Sequence, residues 1–211
     1  PAEPAAPAAP TPATTKTAAD ASCTDLGACV SSSLQSAWRG DVDALRQTAS
    51  KIDALPKPDL GNKAQSRKLN TQALEALKAG DPTQAVLLLQ AAQKENPRDV
   101  EVASNLGFAL VKAQRPQEAA KVLGEALLLD PRRTSTWAPL GEALALSGRQ
   151  ADGAAALWAA WQWSGNREKT ETAFSERATR EQAERPALAQ VYQGAHAWVT
   201  QGQRPALRNA R

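Results

Sequence analysis

The sequence predicts an all-α fold of stacked antiparallel helix pairs, and three observations predict it. The first is a repeat. Laid against itself with a shift of 34 residues, the chain aligns Ala73, Gly107 and Gly141, then Leu89, Leu123 and Leu157, then Ala92, Ala126 and Ala160. Self-similarity at such a period marks units that cannot bury their apolar faces alone and must stack. The second is apolar spacing of helical period inside each window, as in VEVASNLGFALVKA followed by QEAAKVLGEALLL. The third is punctuation. Pro82 and Pro116 fall at the same place in successive windows, and Pro97 and Pro131 at another.

These marks give three windows, 66–99, 100–133 and 134–167, each read as two helices. Proline suits the first position of a helix, so Pro82 and Pro116 open the second helices. Asp81 is placed to cap the first of them, and Gly80 and Gly148 supply turns. The ENP and LDP triplets close the second helices, because a residue before proline is pushed out of helical geometry. Gly107 interrupts an alanine-rich helix at a cost of about 1 kcal/mol relative to alanine. Its place is explained if one helix of the unit crosses its partner there and only a very small side chain lets the backbones approach.

The flanks read as further helices. Residues 28–55 form one pair, with a loop at LPKPDLGN, and REKTETAFSERATREQAE and PALAQVYQGAHAWVTQG form another, opened by Pro186. Both pairs, covering 23–65 and 168–202, are expected to cap the stack, and residues 203–211 to fray. The tryptophans of AALWAAWQW, Trp158, Trp161 and Trp163, read as seam filler between the third window and the C-terminal helices, with an aromatic platform for a sugar or peptide as the alternative. Trp198 is expected to cap the core, and His196, the single histidine, to lie at the surface.

Residues 1–22 are mostly Pro, Ala and Thr and cannot bury enough surface to offset the entropy of ordering, so they read as a semi-extended linker. The chain contains no methionine, which points to a processed or excised piece whose upstream part is an anchor or another domain. Cys23 and Cys29 follow the linker. Zinc would want about four ligands, and a redox pair the C-x-x-C spacing. A structural disulfide is the favoured reading, with free thiols the alternative. The disulfide implies a periplasmic or otherwise extracytoplasmic location, against a cytoplasmic alternative.

Several classes fall away. The net charge of +3 is too diffuse for nucleic acid. No run of 18 apolar residues spans a membrane. A phosphate loop, a nucleophile elbow and a zinc-protease motif are all missing from the sequence, so neither catalysis nor a cofactor or metal is expected.

The second window, with Leu106-Gly107, Ala119, Leu123, Ala126 and Pro131, resembles the tetratricopeptide repeat family. The third offers Trp137, Leu140-Gly141, Leu157 and Ala160, but has Gly153 for the usual alanine and Gly165 for the usual proline. The first has Ala73, Ala85, Leu89, Ala92 and Pro97, with Gln72 for the usual leucine. The resemblance covers about half the chain. It implies a right-handed α-solenoid whose first helices line a concave groove for a peptide or partner protein. Carried onto this sequence, the groove positions are Arg67, Asn70, Leu74 and Lys78; Glu101, Ser104, Asn105, Phe108 and Lys112; and Ser135, Ala138 and Glu142. Of the basic and amide set with which chaperone-binding members grip a C-terminal carboxylate, only Asn105 is present. Leu74, Ser135 and Pro139 replace the rest, so no chaperone-tail clamp is expected. The expected function is a non-catalytic interaction module tethered in the bacterial envelope. The alternative is a scaffold or assembly subunit that uses the convex surface.

Overall fold

The computed structural model describes Cys23 and residues 26–210, so the predicted linker lies outside the described residues. Among the described residues there are ten helices and one isolated β-bridge. The repeat windows hold α3 (Lys63–Lys78) and α4 (Pro82–Glu95), α5 (Val100–Lys112) and α6 (Pro116–Leu129), and α7 (Thr134–Leu146) and α8 (Gln150–Gln162). They are preceded by α1 (Leu26–Arg39) and α2 (Val42–Asp53) and followed by α9 (Arg167–Glu181) and α10 (Pro186–Gln201).

Local chemistry sets these boundaries. The Asp81 carboxylate accepts from Gln84 N at 2.9 Å, and Asn62, Asp99 and Asn166 cap α3, α5 and α9 in the same way. Such a cap satisfies one of the orphan N–H groups of a helix start. Pro82, Pro116 and Pro186 each open a helix. Between the paired helices the chain turns through a left-handed residue, Gly80 and Gly148 at φ 82° and Gln114 at φ 59°. These three positions are 34 apart, so the turn recurs even where the glycine does not.

Each pair crosses at its small residues. Gly107 lies against Leu123, and Gly141 and Gly153 bring the backbones of α7 and α8 together. Ala73, Ala85, Ala119, Leu89, Leu123 and Leu157 are buried along the same seams. The first helices of the pairs, α3, α5 and α7, touch in sequence and form one side of the stack, and α4, α6 and α8 form the other.

The N-terminal pair does not cap the α3 end of the stack, as expected of it. Instead α1 packs across α8 and α6, and α2 on α6, so the pair covers the outer side of the second and third units. Trp38 of α1 meets Trp198 edge-on at 5.7 Å, and Trp158 of α8 stacks on Trp198 at 5.6 Å. Covered by α1 on one side and α10 on another, α8 is apolar nearly all round, with Gly153 through Ala160 buried without a break. A helix with no polar face is one buried on all sides. At the other end of α1, Cys23 and Cys29 are disulfide-bonded, and Cys29 packs with Ile52 and Leu128. Lys57, in the loop back to α3, donates to the Ile52 carbonyl at 2.9 Å and to the Leu128 carbonyl, tying the ends of α2 and α6. Burial there pushes its ammonium pKa down.

At the C-terminal end α10 packs on α8 and reaches α7, while α9 packs chiefly on α10. The tail does not fray as expected. Residues 203–210 run without regular secondary structure over Gly194 of α10 to the α7–α8 turn, where Asn209 forms the β-bridge with Arg149. The tetrapeptide Arg-Pro-Ala-Leu thus occurs twice in two conformations. It caps and opens α10 at 185–188 and lies outside any helix at 204–207.

Candidate functional site

The side of the stack formed by α3, α5 and α7 carries all twelve predicted groove residues, and the structure divides them. Arg67, Leu74, Lys78, Glu101, Phe108, Lys112 and Ser135 are exposed. Leu74 and Phe108 keep 43% and 37% of their surface in solvent, which is large for apolar side chains beside a packed seam. Ala138 and Asn105 are half-buried. The Lys112 ammonium lies 5.4 Å from the Phe108 ring centre, a cation–π distance that presents both at one place.

The other three, Asn70, Ser104 and Glu142, are buried and bonded between helices. The Asn105 side-chain amide donates to Asn70 Oδ1 at 2.9 Å, tying α5 to α3. The Ser104 hydroxyl donates to the Val100 carbonyl at 2.7 Å and lies 2.6 Å from the Thr136 hydroxyl, joining α5 to α7. Glu142 accepts from the Tyr192 hydroxyl at 2.7 Å and from Arg177 at 2.9 Å, joining α7 to α10 and α9. Buried polar groups need such partners. Asn70, Ser104 and Glu142 therefore lie beneath the exposed positions, bonded between helices. Asn105 differs. Its amide nitrogen is held by Asn70, while no hydrogen bond to its oxygen is found among the described residues; Phe108 lies three residues after Asn105 on α5, and Leu74 four after Asn70 on α3.

The Glu142 end of the floor is the most strongly coupled. Arg177 also pairs with Glu181 at 3.0 Å, and Glu181 with Arg185 at 2.5 Å. Burial, then the charge of Glu142 and the hydrogen bond to it, pushes the Tyr192 phenol well above its ordinary pKa.

Sequence reasoning missed Thr136, Arg177 and Tyr192. A signal for one was present. Asn70 and Asn105 are 35 apart, and so are Glu142 and Arg177. Two of the polar contacts between neighbouring first helices thus fall one residue beyond the repeat length, while Ser104 and Thr136 are 32 apart. Tyr192 lies in a non-repeat helix, and no spacing pointed to it.

The tryptophans provide no open aromatic platform. Trp158 and Trp198 are buried in the seam with α1. Trp161 donates to Glu171 at 2.8 Å with Arg167 over its ring, and Arg132 lies over Trp163.

The tetratricopeptide repeat family model matches residues 76–144. No curated protein sequence matches the chain. Among solved structures, the chain is similar to a mutant O-GlcNAc transferase of Thermobaculum terrenum, with 23% identity and a TM-score of 0.51 over 64% of this chain and 26% of that one. It is also similar to the Yersinia enterocolitica type III secretion chaperone SycD, solved with a peptide of the translocator YopD, with 19% identity and a TM-score of 0.47 over 58% of this chain and 90% of that one. A third is MamA MSR-1, with 17% identity and a TM-score of 0.46 over 84% and 98% of the two chains. At these identities the likeness is one of fold.

Proposed function

We propose that this chain, whose residues 76–144 match the tetratricopeptide repeat family model, is a non-catalytic interaction module that holds an extended peptide against α3, α5 and α7. The observation that supports this most is an asymmetry of cover. The outer sides of α6 and α8 lie under the chain's own α1, α2 and α10. On the opposite side Leu74 and Phe108 remain exposed, one helical turn from the bonded Asn70–Asn105 pair. An extended peptide offers backbone N–H groups to an amide oxygen such as that of Asn105 and apolar side chains to such neighbours. Arg67, Lys78 and Lys112 border the surface, against Glu101.

The test is native cross-linking and identification of captured partners, with Asn105→Ala and Phe108→Ala combined. Loss of capture in a variant that stays folded supports the groove, the melting temperature falling only by the broken Asn105–Asn70 bond. The scaffold reading keeps one observation in its favour, because α1 and α2 leave α4 largely uncovered and Leu87 is 58% exposed on it. Capture that survives the groove pair but is lost in Leu87→Asp supports that second reading.

We place the protein outside the cytoplasm, in the envelope. The reading is supported by the bonded Cys23–Cys29 pair and by the Pro/Ala-rich composition of residues 1–22. Counting thiols in protein isolated under alkylating conditions tests it. Two free thiols per chain would overturn the oxidised location.

A further inference from the structure

We propose that the surface under residues 203–210 is a second peptide seat, selective for an extended Arg-Pro-x-Leu-x-Asn segment and filled in the free chain by its own tail. The alternation along the tail carries the argument. Pro205 and Leu207 are half-buried between exposed Arg204, Ala206 and Arg208, and Asn209, itself exposed, is held by hydrogen bonds to Asp152. Inward and outward side chains at a period of two are how an extended peptide is read, by pockets for every second residue.

Each inward residue has a matching feature. Pro205 sits on Gly194 of α10, where an added Cβ would lie 2.7 Å from the Pro205 Cβ, and the same position is 3.6 Å from Leu207. Glycine costs stability inside a helix, and here its missing side chain is the floor of the seat. Asn209 donates to the Asp152 carboxylate at 3.0 Å and accepts from Asp152 N at 3.3 Å. The Ala210 N–H donates to the Gly148 carbonyl at 2.8 Å, a carbonyl presented by the left-handed turn. Arg204 donates to the Trp38 carbonyl at 3.2 Å and lies over the Trp38 ring.

The tail is held by a few bonds at exposed positions, so it opens at low cost compared with the helices beneath it. Its tether gives it an effective concentration in the millimolar range, which is why the cis segment occupies the seat until a partner with the same pattern competes.

The test uses the full chain. Pro205→Asp with Leu207→Asp empties the seat, and a labelled peptide of residues 202–210 is titrated to about 1 mM by fluorescence anisotropy. Saturable binding at least tenfold tighter to this variant than to the unaltered chain is expected, and adding Gly194→Leu should abolish it. Absence of binding to the folded variant, equal binding to both chains, or indifference to Gly194→Leu would each overturn the proposal. Should the paired variant fail to fold, Asn209→Ala alone carries the same comparison. In the unaltered chain the Ala210 amide should exchange more slowly than in Asn209→Ala, and equal exchange also counts against the seat.

Discussion

Tyr192 donates its phenolic hydrogen to Glu142 across 50 residues of chain, closing the end of the groove floor between α10 and α7. Tyr192→Phe removes a hydrogen bond to a charged group and leaves Arg177 as the other donor to that carboxylate. A loss of about 1–2 kcal/mol is expected from denaturant unfolding. The pH dependence has a definite sign. Burial and Glu142 raise the phenol pKa in the folded state, so the folded chain keeps the proton longer than the unfolded chain. Stability is unaffected below the ordinary tyrosine value of about 10 and declines as pH rises beyond it. Tyr192 is the only tyrosine in the sequence, so phenolate absorbance at 295 nm reads this residue alone. A midpoint at the ordinary value in the folded protein would contradict the burial argument.

Two glycines inside helices should respond in opposite directions. A Cβ at Gly107 would come within 2.3 Å of the Leu123 Cγ, whereas at Gly124 the nearest atom is Val30 Cγ2 at 3.6 Å. Overpacking costs about 1–3 kcal/mol, more than the roughly 1 kcal/mol that alanine recovers in helix propensity. Gly107→Ala should therefore lower Tm, and Gly124→Ala should raise stability by about 0.5–1 kcal/mol. Thermal unfolding of the two variants side by side checks both.

Gln114 takes the left-handed conformation that Gly80 and Gly148 take one repeat away on either side. A side chain in that region carries about 1 kcal/mol of strain, partly offset by the unfolded-state entropy that glycine adds. Gln114→Gly should stabilise the chain by about 0.5 kcal/mol, seen as a small rise in Tm. A fall would mean the side chain makes a contribution that the turn geometry does not show.

The Trp38–Trp198–Trp158 group should be the energetic clasp that holds α1 on the stack. Trp198→Ala removes the ring both partners touch, with an expected loss of about 3–5 kcal/mol. Limited proteolysis should then cut first in the α1–α2 region or in the loop that follows it. First cuts inside α5 or α6 would show that the clasp is not what fastens the pair.

Most of the repeat core was legible because its causes are local. Ala73, Leu89, Gly107, Leu123 and Ala126 recur at one interval, and the interval itself says that helices pair and stack. Asp81, Pro82 and Pro116 mark helix starts with chemistry contained in a few residues. The groove was half legible. Arg67, Leu74, Phe108 and Lys112 are exposed as the family resemblance implies. Ser104 and Glu142 are buried, which the sequence did not show, because their partners Thr136, Tyr192 and Arg177 come from other helices.

By itself the sequence determined where helices begin and end, which faces are buried, and that neighbouring units nest through small side chains. Periodicity reports that a face is covered without saying what covers it. The tertiary structure decided that α1 and α2 lie across α6 and α8, that α10 packs on α8 while α9 packs chiefly on α10, and that the tail binds over Gly194. It also decided that Arg-Pro-Ala-Leu caps and opens a helix at 185–188 and lies outside any helix at 204–207. Identical residues have identical local preferences, and only the surface each segment meets separates the two outcomes.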